Sequence, residues 1–394
     1  METICSLASR MEARLMARNL HIEQFFASQA MPLARVCQEM SERFLRGGRL
    51  LAFGQGSYAT DAQHVSVEFV HPVIVGKRAL PALDLSLNFQ AWVKAIVRAE
   101  DVVMGFGPPT GDPMVQQSLH VAAQRGAMTI ALPGRDGSYA LPLDDGDPFF
   151  HQETIEILYH TLWETVHVFL EHRELGQDVG AAEFLYPFLG QTRQETDSLV
   201  EEVAASIRMK ALDDSMLRAR LAGEESETLA DAVEAIHERL LRGGKLILFG
   251  NGGSATDAND WALDCVQPPP GYQPIPAISL SMEPAILSAV ANDVGTEVVF
   301  LRQLIAHAQP EDVAIGISTS GSSRNIVMAL EEARRRGLLT VALLGYDGGE
   351  IYRRKLSDFS VIVRSDYIPR IQEVQASAYH VMREMEEVLN RGGV

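Results

Sequence analysis

The chain predicts an α/β fold in two tandem domains, each a mainly parallel sheet flanked by helices in three layers, as in flavodoxin-like sandwiches. Three observations predict it. Short apolar runs alternate with helical periodicity, the pattern of strands buried beneath crossover helices. The 394 residues are enough for two cores. The chain also repeats itself: Leu45–Asp61 (LRGGRLLAFGQGSYATD) aligns without a gap on Leu241–Asp257 (LRGGKLILFGNGGSATD), an offset of 196. Later pairs follow in order at offsets of 211 (Glu100 with Glu311, Arg125 with Arg336) and 220 (Gln152 with Gln372, His160 with His380).

Each repeat opens on a helix, Met31–Leu45 and Leu229–Leu241, with apolar residues at helical spacing and a Gly-Gly stop. A strand follows (Arg49–Phe53; Lys245–Phe249), then a Gly-rich turn into another helix. A second strand (Val102–Gly105; Val313–Ile317) leads through a loop and a helix ending in Arg-Gly to a third (Met128–Leu132; Leu339–Leu343). Long helices close the repeats, about Gln152–Glu171 and Ile371–Leu389. Glu174–Glu195, with several glycines and a proline, is the expected boundary, giving domains 1–178 and 190–394. Thr196–Leu221 is expected to form a helical hairpin opening the second domain. The growing offset places extra residues in the second repeat, chiefly around Asn292–Gln309.

Composition narrows the function. With 46% hydrophobic and 22% charged residues the chain reads as a globular protein, without an apolar run that would span a membrane. The N-terminus is broken by Glu2, Arg10, Glu12 and Arg14 and has no apolar signal core, and the three cysteines are scattered. A cytoplasmic protein is expected. The net charge of −18 disfavours nucleic acid and anionic membranes. It leaves open a phosphorylated metabolite, which local backbone N–H groups can bind.

Two loops of the second repeat suit such a ligand. GNGGSATDA (Gly250–Ala258) lies between a strand and a helix, with Asn251, Gly252 and Ser254 at the turn. STSGSS (Ser318–Ser323) supplies five hydroxyls at a strand end, where an ordinary cap needs one. Neither has a Walker lysine or dinucleotide glycine spacing, so no nucleotide cofactor is expected. The first repeat has Tyr58 in place of Ser254 and GPPTGD (Gly107–Asp112) in the second loop. Two prolines remove N–H donors there, and Asp112 brings negative charge to the phosphate position.

A second constellation is fuller in the first repeat. His64 and Glu68, four apart, share a helix face, and so do Gln152 and His160, eight apart. These four could hold a divalent metal such as zinc, or supply a general base and acid. The second repeat keeps Gln372 and His380 but has Asp260 and Asp264 for the other pair, a set suited to a harder metal. The shorter Asp264 would hold a base farther from substrate.

GNGGSATDA, ANDVG (Ala291–Gly295), ISTSGSS, LLGYDGG and RIQEV-x5-H (Arg370–His380) together resemble the SIS-domain phosphoheptose isomerases, here as a tandem fusion. The resemblance covers nearly all of the second repeat and, more faintly, the first. It implies conversion of sedoheptulose 7-phosphate to glycero-manno-heptose 7-phosphate through an enediol, and single-domain homotetramers with zinc-binding sites between subunits. Carried over, Ser254, Ser318, Thr319, Ser320 and Ser323 would bind phosphate with Asn251 and Gly252, and Asp293 and Gln372 would contact substrate. Glu68 would be the base, and His160 its acid partner or a metal ligand. His64 and Gln152 would complete a zinc site, with Asp260, Asp264, Gln372 and His380 a second candidate. Because each repeat departs from the family pattern, composite sites between the two domain types are expected, and a homodimer with pseudo-tetrameric symmetry. A non-catalytic SIS protein that binds a sugar phosphate or a protein partner for regulation is the competing reading, and an isomerase for another phosphosugar a third.

Overall fold

The structure, a computed structural model, describes residues 6–72, 77–173 and 196–392. The expected boundary segment Glu174–Glu195 lies outside the described residues. Two five-stranded parallel sheets form. The first contains β1 (Leu50–Phe53), β2 (Ala82–Asp84), β3 (Val102–Phe106), β4 (Met128–Leu132) and β5 (Tyr139–Ala140), in the order 2-1-3-4-5. The second contains β6 (Leu246–Phe249), β7 (Ala277–Ser279), β8 (Val313–Ser318), β9 (Leu339–Gly345) and β10 (Phe359–Val363), in the order 7-6-8-9-10. These are one topology written twice. The order is that of doubly wound sheets whose ligands sit outside the carboxyl ends of the strands, where the winding reverses. β1 and β3, and β6 and β8, flank that point. The Gly-rich turns and the loops after β3 and β8 therefore share one end of each sheet.

The central strands are buried along their whole length, as parallel strands covered on both faces must be. Three strands per repeat are legible as apolar runs. Among the outer strands β2, β5 and β7 span only two or three residues, too few for periodicity; Leu50 pairs with Ala82 and Leu246 with Ala277.

In chain order the helices of the first repeat are α1 (Leu7–Leu45), α2 (Tyr58–Val70), α3 (Phe89–Ile96), α4 (Pro113–Gln124) and α5 (Pro148–Arg173). Those of the second are α6 (Thr196–Leu241), α7 (Gly253–Val266), α8 (Pro284–Asp293), α9 (Val299–His307), α10 (Arg324–Arg335), α11 (Gly349–Arg353) and α12 (Ile368–Asn390). The structure corrects two expectations. Thr196–Leu221 does not open a hairpin: α6 is one continuous helix of 46 residues. A lone glycine, Gly223, costs a helix only about 1 kcal/mol, and the apolar stripe runs on through it. The extra element of the second repeat is α8 with the single 3-10 turn Thr296–Val298, and so begins at Pro284, earlier than Asn292. A change of offset marks an insertion only to within the gap between two alignable motifs.

Packing divides the chain into two compact units, His21–Asp213 and Met1–Leu20 with Asp214–Val394. The long helices α1 and α6 each contribute to both. Leu199, Val203 and Ile207 of α6 join the core of β1–β4, α2 and α5. Leu7, Met11 and Leu15 of α1 join the core of β6, β8, β9 and α12. Polar groups fasten the α1 piece: the Arg14 and Arg18 guanidiniums donate to Glu384, and Asn19 Nδ2 donates to the Ser215 carbonyl. Among the described residues no helix is long and apolar enough to cross a membrane.

Candidate active site

In the first repeat α2 and α5 bring three of the four expected residues together. His64 and Glu68 lie a turn apart on α2, both buried, and His160 lies on α5, fully buried. His160 Nε2 stands 3.3 Å from His64 Nε2, and His64 Nε2 stands 3.8 Å from Glu68 Oε1. Burial, reinforced by the neighbouring His160, holds the His64 imidazole well below its ordinary pKa. Two imidazole nitrogens and a carboxylate oxygen therefore meet in one buried place. Gln152, also on α5, donates from Nε2 to Asp61 Oδ2 at 3.4 Å, one turn before His64 on α2.

These residues fit a metal. His64, Glu68 and His160 each offer an atom within 4.8 Å of the others'. Ligands about 2.0–2.2 Å from tetrahedral zinc stand roughly 3.3–3.6 Å apart, near the spacing of the two Nε2 atoms. Two nitrogens and one carboxylate also match the ligand types zinc prefers.

In the second repeat the corresponding residues converge differently. His380 Nε2 lies 3.5 Å from Asp260 Oδ2 and 3.5 Å from Asp264 Oδ2, all three buried. Tyr379 donates its hydroxyl to Asp260 Oδ2 at 2.8 Å. Burial and the Asp260 carboxylate push Asp264 up to about 7, against the pull of His380. One nitrogen and two carboxylates make a harder donor set than the first repeat's. Gln372 is buried on the same helix as His380, and its Oε1 has no hydrogen-bond partner among the described residues.

The two loops of the second repeat meet. Asn251 Nδ2 donates to Asn325 Oδ1 at 3.0 Å, and Asn325 Nδ2 donates back to Asn251 Oδ1 at 2.9 Å. Sequence reasoning missed Asn325, whose only signal is an amide just inside α10. The Ser318 and Ser323 hydroxyls lie 3.5 Å apart. Ser318 Oγ accepts from Gly321 N, and Ser320 Oγ from Ser322 N, so both hydroxyls keep a proton to donate. Ser323 stands at the N-cap of α10 without a capping side-chain bond. Ser254 is buried, Thr319 partly so, and Ser320 exposed. At Gly252 the φ of +57° admits the turn into α7 that aims N–H groups outward. Asp293 is exposed at the end of α8, where Asn292 Nδ2 donates to its Oδ1 at 2.8 Å.

The first repeat's counterpart loop is filled by its own chain. Asp112 Oδ1 accepts from Met114 N and Val115 N at 2.7 and 3.0 Å, capping α4 with a carboxylate. The helix end that could take a phosphate oxygen already holds an anion.

Two sheets of one winding order, each with loops at its switch point, define a protein with two α/β domains of the SIS type. Residues 214–345 match the SIS domain family. The C-terminal domain of glucosamine-fructose-6-phosphate aminotransferase from Francisella tularensis shares the fold over 96% of this chain and 96% of its own, with a TM-score of 0.61 at 9% identity. The phosphoheptose isomerase of Geobacter sp. (strain M21) is 39% identical over 190 residues, 48% of this chain and 96% of that protein. That of Helicobacter pylori (strain P12) is 43% identical over 157 residues, 40% of this chain and 81% of that protein. The chain belongs to the phosphoheptose isomerase family, and is thus an isomerase whose sequence carries a further SIS-like domain.

Proposed function

We propose that the chain interconverts sedoheptulose 7-phosphate and glycero-manno-heptose 7-phosphate through an enediol. The observation that carries this reading is the buried convergence of His64, Glu68 and His160 in the repeat whose phosphate loop is closed. A repeat kept only for its fold has no use for two facing imidazoles and a carboxylate. Loops Gly250–Ala258 and Ser318–Ser323, in domain 190–394, bind the phosphate through hydroxyls and backbone N–H groups. Glu68, in domain 1–178, takes the proton from C1 and returns it to C2. His160 gives a proton to the C2 oxygen as the enediol forms and takes the C1 hydroxyl proton as the aldehyde forms. His64 and Gln152 orient this pair. If instead a zinc ion is held by His64, Glu68 and His160, with Gln152 nearby, the metal would take the place of the His160 proton by polarising the carbonyl and stabilising negative charge on its oxygen. The phosphate-binding and proton-transfer sets thus serve one reaction, in a chain proposed to pair with a second copy.

Turnover of sedoheptulose 7-phosphate by purified protein, with and without chelator, tests this. Conversion is expected, and Glu68→Gln should remove it by about 10²–10⁴-fold, the usual worth of a general base. No conversion with added zinc would sink the reading. It would favour regulation by a non-catalytic protein, toward which the self-capped Asp112 loop already points.

A further inference from the structure

One cavity is left unused by this reaction. It lies within the unit His21–Asp213, between the start of α5, the segment 141–147 before it and the His21–Phe25 stretch of α1. Its volume is about 150 Å³. A cavity of about that size accepts a single six-membered ring. Phe25 and Phe150 give it apolar faces, with the Phe150 ring 5.9 Å from that of His21.

Apart from the His21 imidazole, which can donate, the polar side chains of the cavity wall offer acceptors. His151 Nε2 lies 3.1 Å from the Gly107 carbonyl, which can only accept, so Nε2 carries the proton and Nδ1 keeps a lone pair. Asp144 Oδ1 accepts from Gly146 N at 2.8 Å, and among the described residues no hydrogen bond engages its Oδ2. Asp147 adds a second carboxylate, and the Thr154 hydroxyl is already donated to the Phe150 carbonyl.

The cavity is built against the loop that lost its phosphate site. Asp144 N donates to the Pro109 carbonyl at 3.0 Å, and Leu143 packs against Gly111. Pro108 and Pro109 offer no N–H, and two carboxylates repel a phosphate. What fits is a ring that stacks a C–H face on an aromatic side chain and donates several hydroxyl hydrogens. An ammonium group would gain further from the carboxylates.

We propose that this cavity binds an unphosphorylated sugar ring, an amino sugar more tightly than a neutral one. The proposal does not rest on the reaction above and can fail independently of it.

Calorimetric titration of the full chain with D-glucosamine, D-glucose and D-glucose 6-phosphate tests it. Both unphosphorylated sugars should bind at millimolar concentration or below, glucosamine more tightly. Asp144→Asn should weaken glucosamine binding about ten-fold, the worth of one hydrogen bond to a charged group, and Phe150→Leu, which removes the aromatic face, should weaken both unphosphorylated sugars. Ser320→Ala, on the phosphate loop, should leave it unchanged, and Asp144→Asn should keep full isomerase turnover. The proposal is overturned if neither unphosphorylated sugar binds, or if Asp144→Asn binds glucosamine as well as the parent chain. It is equally overturned if glucose 6-phosphate binds the Ser320→Ala variant and loses that binding on Asp144→Asn.

Discussion

At the scale of single residues, the environment of a group decides its role more than its type does. His64 and His380 are both buried beside carboxylates, yet one faces an imidazole and a Glu and the other two Asp. The Asn251–Asn325 amide pair ties the Gly250–Ala258 turn to the start of α10, just after the Ser318–Ser323 loop, through two mutual hydrogen bonds. At about 1 kcal/mol each, their loss should raise KM for a phosphorylated substrate roughly thirty-fold. Steady-state kinetics of Asn325→Ala should therefore show raised KM with kcat nearly unchanged; a fall in kcat alone would show that the pair does not position the phosphate. His151 sets a pH dependence of stability. Its folded pKa of about 4 lies below the unfolded value of 6.5, so between those values the unfolded chain binds a proton that the folded chain does not. Stability is unaffected above 6.5 and falls as pH drops toward 4, by at most about 3 kcal/mol. His151→Gln, which can still donate to Gly107, should unfold with a shallower loss between pH 7 and 4. Parallel urea midpoints for the two proteins would remove His151 as the cause.

At the scale of elements, the legible features were those with a local chemical signature. The Gly-rich turns, the hydroxyl loop and the i, i+4 pair on α2 announce themselves because backbone N–H groups, φ and helix pitch constrain which residues serve. The central strands announce themselves by burial. The two-residue β5 and three-residue β2 do not, because their pairing is set by neighbours distant in sequence. Nor does the continuity of α6, decided by tertiary packing along an apolar stripe rather than by Gly223. Asp112 shows how one element changes its function. The prolines and the charge predicted loss of phosphate binding, and the structure adds that the carboxylate now caps α4. Asp112→Ala should lower stability by about 1 kcal/mol, within the range for lost N-caps, without creating phosphate affinity. A phosphate-dependent rise in the melting temperature of that variant, beyond the parent's, would show that only charge had closed the site.

At the scale of the whole molecule, the two repeats share one sheet order but carry different parts of the proposed site. The sheets keep one order, so the switch-point loops occupy the same place in each. One repeat keeps the hydroxyl loop and carries Asp260 and Asp264; the other keeps His64 and Glu68 and has closed its loop with Asp112. If each repeat ran its own complete site, disabling one would leave about half of the turnover. If the two sets serve one reaction, as proposed, disabling either leaves only background. Glu68→Gln should then act on kcat, and Ser318→Ala with Ser320→Ala chiefly on KM, because a base acts in the transition state while phosphate contacts act in both states. The combined variant should be no worse in kcat than Glu68→Gln alone. Asp264→Asn, by contrast, should retain most of the turnover, since the shorter Asp264 side chain would hold a base farther from substrate than Glu68 does. Retention of half the activity in Glu68→Gln, with the rest removed by Asp264→Asn, would show instead that both repeats turn over substrate.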